Sequence, residues 1–380
     1  MVDKQDKPPV LVVLQLTGGN DYFNTVIPYT DENYFDSRKS IQISQERVLH
    51  LNDELGLNPA MGPMKGIFEN GDMAVIHGIG YANSPRSHFR SMDIWHTCEP
   101  DTVGTEGWIG RAIRDLDPKS ENPVLGVNVG QALPRAVVAP GVSVASVADV
   151  SNYGLLTNIE QEQQRMQVLE RFANMYGPAV GSGQVMDYLG QTGLDALKGA
   201  DILKVAPERY KSTIEYGSSP VAKKLRDIAM IHTADVGTRV FYADHGSFDP
   251  HAAQATTHAQ LWTDVSEAIG DFWDDLREHN ADENVIMFLF SEFGRRVRDN
   301  GSGTDHGAAG VAFALGPKVK GGFYGEYPET RAEALEQGDL VPNQDYRGVY
   351  STILENWMNL EASPIVNGQF EKLDFLAKAN

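Results

Sequence analysis

The sequence predicts an α/β fold built on a central, mainly parallel sheet, and three observations carry that expectation. The runs VLVVLQL at 10–16, DMAVIHGIG at 72–80 and NVIMFLF at 284–290 are apolar without alternation. Strands of that composition are covered on both faces, as central parallel strands are. A helical stripe of Leu261, Trp262, Val265, Ala268, Ile269, Phe272, Trp273 and Leu276 precedes the last of these runs, so a long amphipathic helix lies between strands. Finally, polar and titratable residues gather where the strands end, which is where open α/β sheets bind ligands.

Taken in order, Pro8 and Pro9 end a polar tail and the 10–16 strand begins. It breaks at Thr17-Gly18-Gly19-Asn20-Asp21, where two glycines permit a tight turn and a close approach of backbone to ligand. Asp21 then stands at the strand's carboxyl end, beside that of 284–290 if the two strands are neighbours; the plainer reading is that Asn20 and Asp21 cap the next turn. After a polar loop, LNPAMGPMKGIFENG reads as a helix and 72–80 as the second buried strand. Ser84 before Pro85 has the context of a helix N-cap. A serine at a helix N-terminus caps or attacks, and His88 shares a helix face with Met92, as a packed histidine would.

The segment 99–155 is punctuated by Gly and Pro, with VLGVNVG as a short strand. Residues 156–238 read as a mainly helical insertion, with QQRMQVLERFANMY and a second run from about 219 to 236, inside one domain spanning 1–380. RVFYAD at 239–244 returns to strand and leads into His245-Gly246-Ser247-Phe248-Asp249-Pro250-His251, with His258 heading the long helix. Imidazole and carboxylate at this density suit zinc, manganese or iron, against a hydrogen-bonded polar loop. The 284–290 strand is followed by Glu292, Arg295, Asp305 and His306, which form either a site or a structural ion-pair network. GVAFALG at 310–316 is another strand, GGFYGEYP a turn-rich edge, and YSTILENWMNL a final helix after Asp345, Tyr346 and Arg347.

Composition narrows the partners. With 380 residues, 41% hydrophobic and 22% charged, the chain buries a large core. A net charge of −20 opposes nucleic acid and anionic membranes as main partners. An anionic substrate then needs local positive charge, from metal ions or from Arg295, Arg296 and Arg298. Cys98 is the only cysteine, which excludes an intrachain disulfide and reads as a packed side chain rather than a nucleophile. No apolar leader or membrane span is written in the sequence. The expectation is a cytoplasmic protein as written, or a periplasmic one if a signal peptide has been removed ahead of it.

LVVLQLTGGNDYFNTVIPY, RSHFRSMDIW, GSFDPHAAQATTH, SEFGR, GTDHG and DYRGVY, in that order, resemble the bacterial family called domain of unknown function 1501. That family is placed in the alkaline phosphatase and sulfatase superfamily of metal-dependent hydrolases and mutases acting on phosphate and sulfate esters. The resemblance implies a doubly wound sheet with helices on both faces and a divalent metal, zinc, manganese or calcium, at the carboxyl ends of the strands. It implies metal ligands at Asp21, Asp249, His251, Glu292 and His306, and a nucleophile at Ser84 or Ser87, with His88 a further catalytic candidate. Arg295, joined by Arg86, is then the anion-binding group. Phe293 stands where an Asp-His pair would place its histidine. The expected function is hydrolysis of a small-molecule or carbohydrate anionic ester; the alternative is a noncatalytic anion- or carbohydrate-binding protein on the same fold.

Overall fold

The computed structural model describes residues 7–152 and 198–377, with four isolated positions between them. Its strands are β1 Val10–Leu16, β2 Val26–Pro28, β3 Leu49–His50, β4 Leu55–Leu57, β5 Met73–Gly80 and β6 Gly126–Val129, followed by β7 Val144–Val147, β8 Val240–His245, β9 Val285–Phe290, β10 Gly310–Leu315, β11 Gly322–Tyr324 and β12 Gln344–Asp345. Among the described residues, nine of them form one sheet in the order β11-β5-β10-β9-β1-β8-β6-β7, with β12 also on β5. Only β10 runs antiparallel to its neighbours; every other pair in this sheet is parallel. β1 and β9 are neighbours, in register from Val10↔Val285 to Gln15↔Phe290. The 284–290 run is therefore parallel to β1 on one side and antiparallel to β10 on the other.

The pleat explains why these strands are apolar throughout. Val10, Val12, Leu14 and Leu16 of β1 face one core, and Leu11 and Val13 face the other. The first core is covered by helices Gly62–Glu69, Pro220–Thr233 and Gln254–Glu278, whose Trp262, Val265, Ile269 and Phe272 are fully buried. The second is covered by His88–Thr97, Trp108–Leu116 and Tyr346–Asn356. Two helical layers on one mostly parallel sheet make a doubly wound α/β fold. Of the 156–238 segment, Pro220–Thr233 packs into the first core, whereas most of QQRMQVLERFANMY lies outside the described residues.

Several boundaries differ from the sequence reading. The stretch read as a polar loop before the first helix contains a small antiparallel sheet, β2-β4-β3. Trp108–Leu116 is a helix in a segment read as turns, with Trp108, Ile109, Ala112 and Ile113 on its buried side. The last helix starts at Tyr346 because the Asp345 carboxylate accepts from the Arg347 N–H and caps it. The helix after β5 starts at His88 with Ser87 at the N-cap, three residues later than Ser84-Pro85 suggested. Arg86 lies between them at φ 53°, a left-handed conformation that no helix can run through. Among the described residues no helix is long and apolar enough to cross a membrane.

Candidate metal centre

Glycine-dependent packing brings four loops together at one end of the sheet. Gly18, at φ 127°, has no room for a side chain, since a Cβ would lie 2.6 Å from the Phe248 carbonyl carbon and 2.7 Å from the Asp249 nitrogen. The loop after β1 therefore lies directly against the loop after β8. From the other side, the chain after β9 folds back on itself. Gly294 N–H donates to Ala308 O at 3.1 Å, Gly307 N–H to Gly294 O at 2.9 Å and Arg296 N–H to Asp305 O at 3.0 Å. A Cβ at Gly307 would meet the Arg295 carbonyl carbon at 2.5 Å. The glycines of SEFGR and GTDHG thus let this ribbon close, and the ribbon delivers His306.

His88, Asp249 and His306 each offer a ligand atom, and these atoms all lie within 4.8 Å of one another. His88 Nε2 is 3.1 Å from His306 Nε2 and 3.3 Å from Asp249 Oδ2, and His306 Nε2 is 3.0 Å from Asp249 Oδ1. His251 adjoins the set, its Nε2 2.9 Å from Asp249 Oδ1 and 3.1 Å from His306 Nε2. Asp249 and His251 are more than a third exposed, so solvent reaches the cluster.

The outer nitrogens decide what the inner ones are. His88 Nδ1 lies 2.8 Å from Glu292 Oε1, and that carboxylate also accepts from the Gly18 N–H at 2.9 Å. His306 Nδ1 lies 3.0 Å from the Arg86 carbonyl oxygen. Both partners are acceptors, so each Nδ1 carries a proton, and in that tautomer each Nε2 presents its lone pair inward. Two imidazole lone pairs and a carboxylate oxygen then converge, an arrangement that needs a cation or an added proton between them. For a metal–nitrogen distance of zinc type, the edge of a tetrahedron is about 3.3 Å, close to the spacings found here. These residues fit a divalent metal. The hydrogen bond that His88 donates to Glu292 raises the His88 pKa despite burial, which would make the ring a more basic metal ligand. Burial pushes Asp249 up, but the hydrogen bond from Arg295 and its guanidinium charge lead the effects that outweigh burial and hold the carboxyl below its ordinary range.

The remaining residues singled out by the sequence have other placements. Glu292 is fully buried and supports His88 from behind instead of facing the cluster. Asp21 is buried away from the imidazoles. Its carboxylate accepts two bonds from Arg38, at 2.5 and 2.8 Å, and a third from Gln254 Nε2, and Arg38 outweighs burial in lowering its pKa. Arg295 is buried too, its donors taken by the carbonyls of Gly19, Thr304, Gly18 and Phe248 and by Asp249 Oδ1. It braces Asp249 and has little left to offer an anion. The hydrogen bonds of the cluster reach neither Ser84 nor Ser87; Ser87 is the exposed N-cap of the helix that His88 begins, and its side chain makes no capping bond.

His245 and His258 stand apart from the cluster. His245 packs edge-on against Phe248, and burial holds His258, 3.0 Å from Asn20 Oδ1, at a pKa of about 4. The Phe293 ring packs 4.9 Å from both His88 and His306 and forms an apolar wall of the site. Cys98 is buried and its thiol pushed up to about 12 by burial, which makes it inert.

A family model described as "Protein of unknown function (DUF1501)" matches residues 9–354. No curated protein matches the sequence. Among solved structures, the chain is similar in outline to Ps i-CgsB in complex with k-i-k-neocarrahexaose, at 11% identity and TM-score 0.40, covering 96% of this chain and 73% of that one. It is similar to a protein in the alkaline phosphatase superfamily from Vibrio parahaemolyticus, at 10% identity and TM-score 0.38, covering 85% and 64%. A third is the C-terminal periplasmic domain of EcEptC from Escherichia coli in complex with Zn, at 8% identity and TM-score 0.37, covering 83% and 74%.

Proposed function

The chain belongs to the DUF1501 family, and we propose that this member is a metal-dependent hydrolase of phosphate or sulfate esters. The observation that carries the reading is the convergence of the bare His88 and His306 Nε2 atoms on Asp249, with both Nδ1 atoms tied to acceptors. His88, Asp249 and His306 would hold the ion, on the side of the cluster that solvent reaches. The nitrogen-rich donor set favours zinc over calcium, which prefers oxygen ligands. A divalent ion there would polarise an ester oxygen and activate water at neutral pH.

The chain's own groups divide the other tasks. His88 is the first residue of a ten-residue helix, so the free N–H groups of its first turn are placed to bind the ester's anionic oxygens. His251, its Nδ1 3.4 Å from Asp305 Oδ1, is held where it can move a proton beside the centre. Phe293 keeps water from the inner side of the imidazoles. Arg295 fixes Asp249 without touching substrate.

The unengaged serines favour a second reading, an anion- or carbohydrate-binding protein that holds a metal without turnover. Zinc-loaded protein assayed against aryl phosphates and aryl sulfates separates the two. Turnover that disappears in His306→Ala supports the hydrolase; bound metal with no turnover of either ester class supports the binding protein.

A further inference from the structure

A cleft of about 630 Å³ opens at the carboxyl ends of β1, β8 and β6, lined among others by Gln15, Thr17, Met92, Asn128, Gln131 and Tyr242. Its volume is that of a small-molecule site. Met92 stands one helical turn from His88, so the cleft and the imidazole cluster share a wall.

The cleft interleaves apolar side chains, Met92, Leu133 and Pro134 among them, with uncharged polar ones. On its floor Tyr242 donates to Gln15 Oε1, which lies 2.8 Å from His96 Nε2, and Gln15 Nε2 donates to Thr17 Oγ1 at 3.1 Å. Burial pushes the His96 pKa down to about 3, so the ring stays neutral. The rim charges cancel, with Lys223 and Lys224 against Asp227 and Asp244 and Lys224 paired to Asp244 at 2.7 Å. The cleft thus has no surplus positive charge with which to overcome a net charge of −20 and hold a polyanion.

Beside the cleft, sharing Met92 and His96, runs an apolar groove of about 510 Å³ bordered by Phe89 and Val103. Phe89, directly after His88, is 92% exposed, the most exposed of the large apolar side chains described. An aromatic face left in water in the groove that adjoins a cleft of mixed apolar and polar lining matches a ligand with both hydroxyl edges and apolar C–H faces.

We infer that the cleft is a subsite for the uncharged sugar chain of the ester, a neutral oligosaccharide, with Phe89 as the platform on which one ring stacks. The inference rests on the proposed hydrolase only for where the ester group lies, and its test reads binding, so the two can fail separately. Maltohexaose, cellohexaose, xylohexaose and heparin are titrated calorimetrically into the metal-loaded protein and into Phe89→Ala and Gln131→Ala. Both positions are exposed, so both variants should keep the wild-type melting temperature and metal content. The expected result is binding of at least one neutral hexasaccharide, weakened about tenfold by Phe89→Ala and measurably by Gln131→Ala. Binding to none of the three, preference for heparin, or neutral binding that neither substitution weakens would overturn the inference. Sugar binding by protein that takes up no metal would sink the hydrolase reading and leave this one standing.

Discussion

His88 and Glu292 are 204 positions apart in the chain, and their side chains meet at 2.8 Å with the carboxylate fully buried. The contact fixes which imidazole nitrogen faces the cluster. Outer partners of this kind typically contribute 10–100-fold to metal affinity. Glu292→Gln keeps the volume but loses the charge, so metal affinity should fall by about tenfold or more with little change in melting temperature. Competition against a chromophoric chelator measures it.

Asp21 and Arg38 form a buried pair separate from the His88, Asp249 and His306 cluster. Arg38→Met would leave the carboxylate buried and unpaired, a loss of about 3–5 kcal/mol. Adding Asp21→Asn should recover much of that. Asp21→Asn alone should leave metal content unchanged, because both carboxylate oxygens are already occupied. Urea unfolding gives the stabilities, and elemental analysis the metal.

Gly18 couples stability to the site. Its φ of 127° and the 2.6 Å contact that a Cβ would make with Phe248 leave alanine no unstrained conformation. Gly18→Ala should cost about 2 kcal/mol or more and, by pushing the Asp249 loop outward, should weaken metal binding as well. A loss of stability with metal affinity intact would show that the Asp249 loop adjusts independently of β1.

Acid should destabilise the protein through its buried neutral histidines. Burial depresses His77 and His258 to about 4 and His96 to about 3, against about 6.5 in the unfolded chain. Between these values the unfolded state binds more protons, so their contribution is whole above about pH 6.5 and is lost as pH falls toward 4. Each adds a slope of up to about 1.4 kcal/mol per pH unit. Urea unfolding across pH 7 to 4 should show the decline, and His96→Gln should flatten it by about one proton.

Much of the scaffold was legible in the sequence because burial on both faces leaves an apolar run, and β1, β5 and β9 all carry one. The long helix was legible from its stripe, all of which is buried. The start of the helix after β5 depends on backbone conformation. Nothing in the residue types shows that Arg86 adopts a left-handed φ, which moves the helix start to His88 and turns the Arg86 carbonyl toward His306. Asp249, His251 and His306 could be singled out from residue type and placement. The roles of Asp21 and Glu292 could not, because Arg38 and His88, the partners that occupy them, come from distant segments. His88 itself carried a signal, an imidazole in the first turn of a helix after a buried strand, but that signal fits a packed histidine equally well.

The most direct test is metal content by elemental mass spectrometry of protein purified without chelator, beside His88→Ala, His306→Ala and His258→Ala. The account predicts about one equivalent of a transition metal per chain, lost in His88→Ala and His306→Ala and retained in His258→Ala. No metal after reconstitution, or metal that survives loss of the His88 and His306 imidazoles, would contradict it.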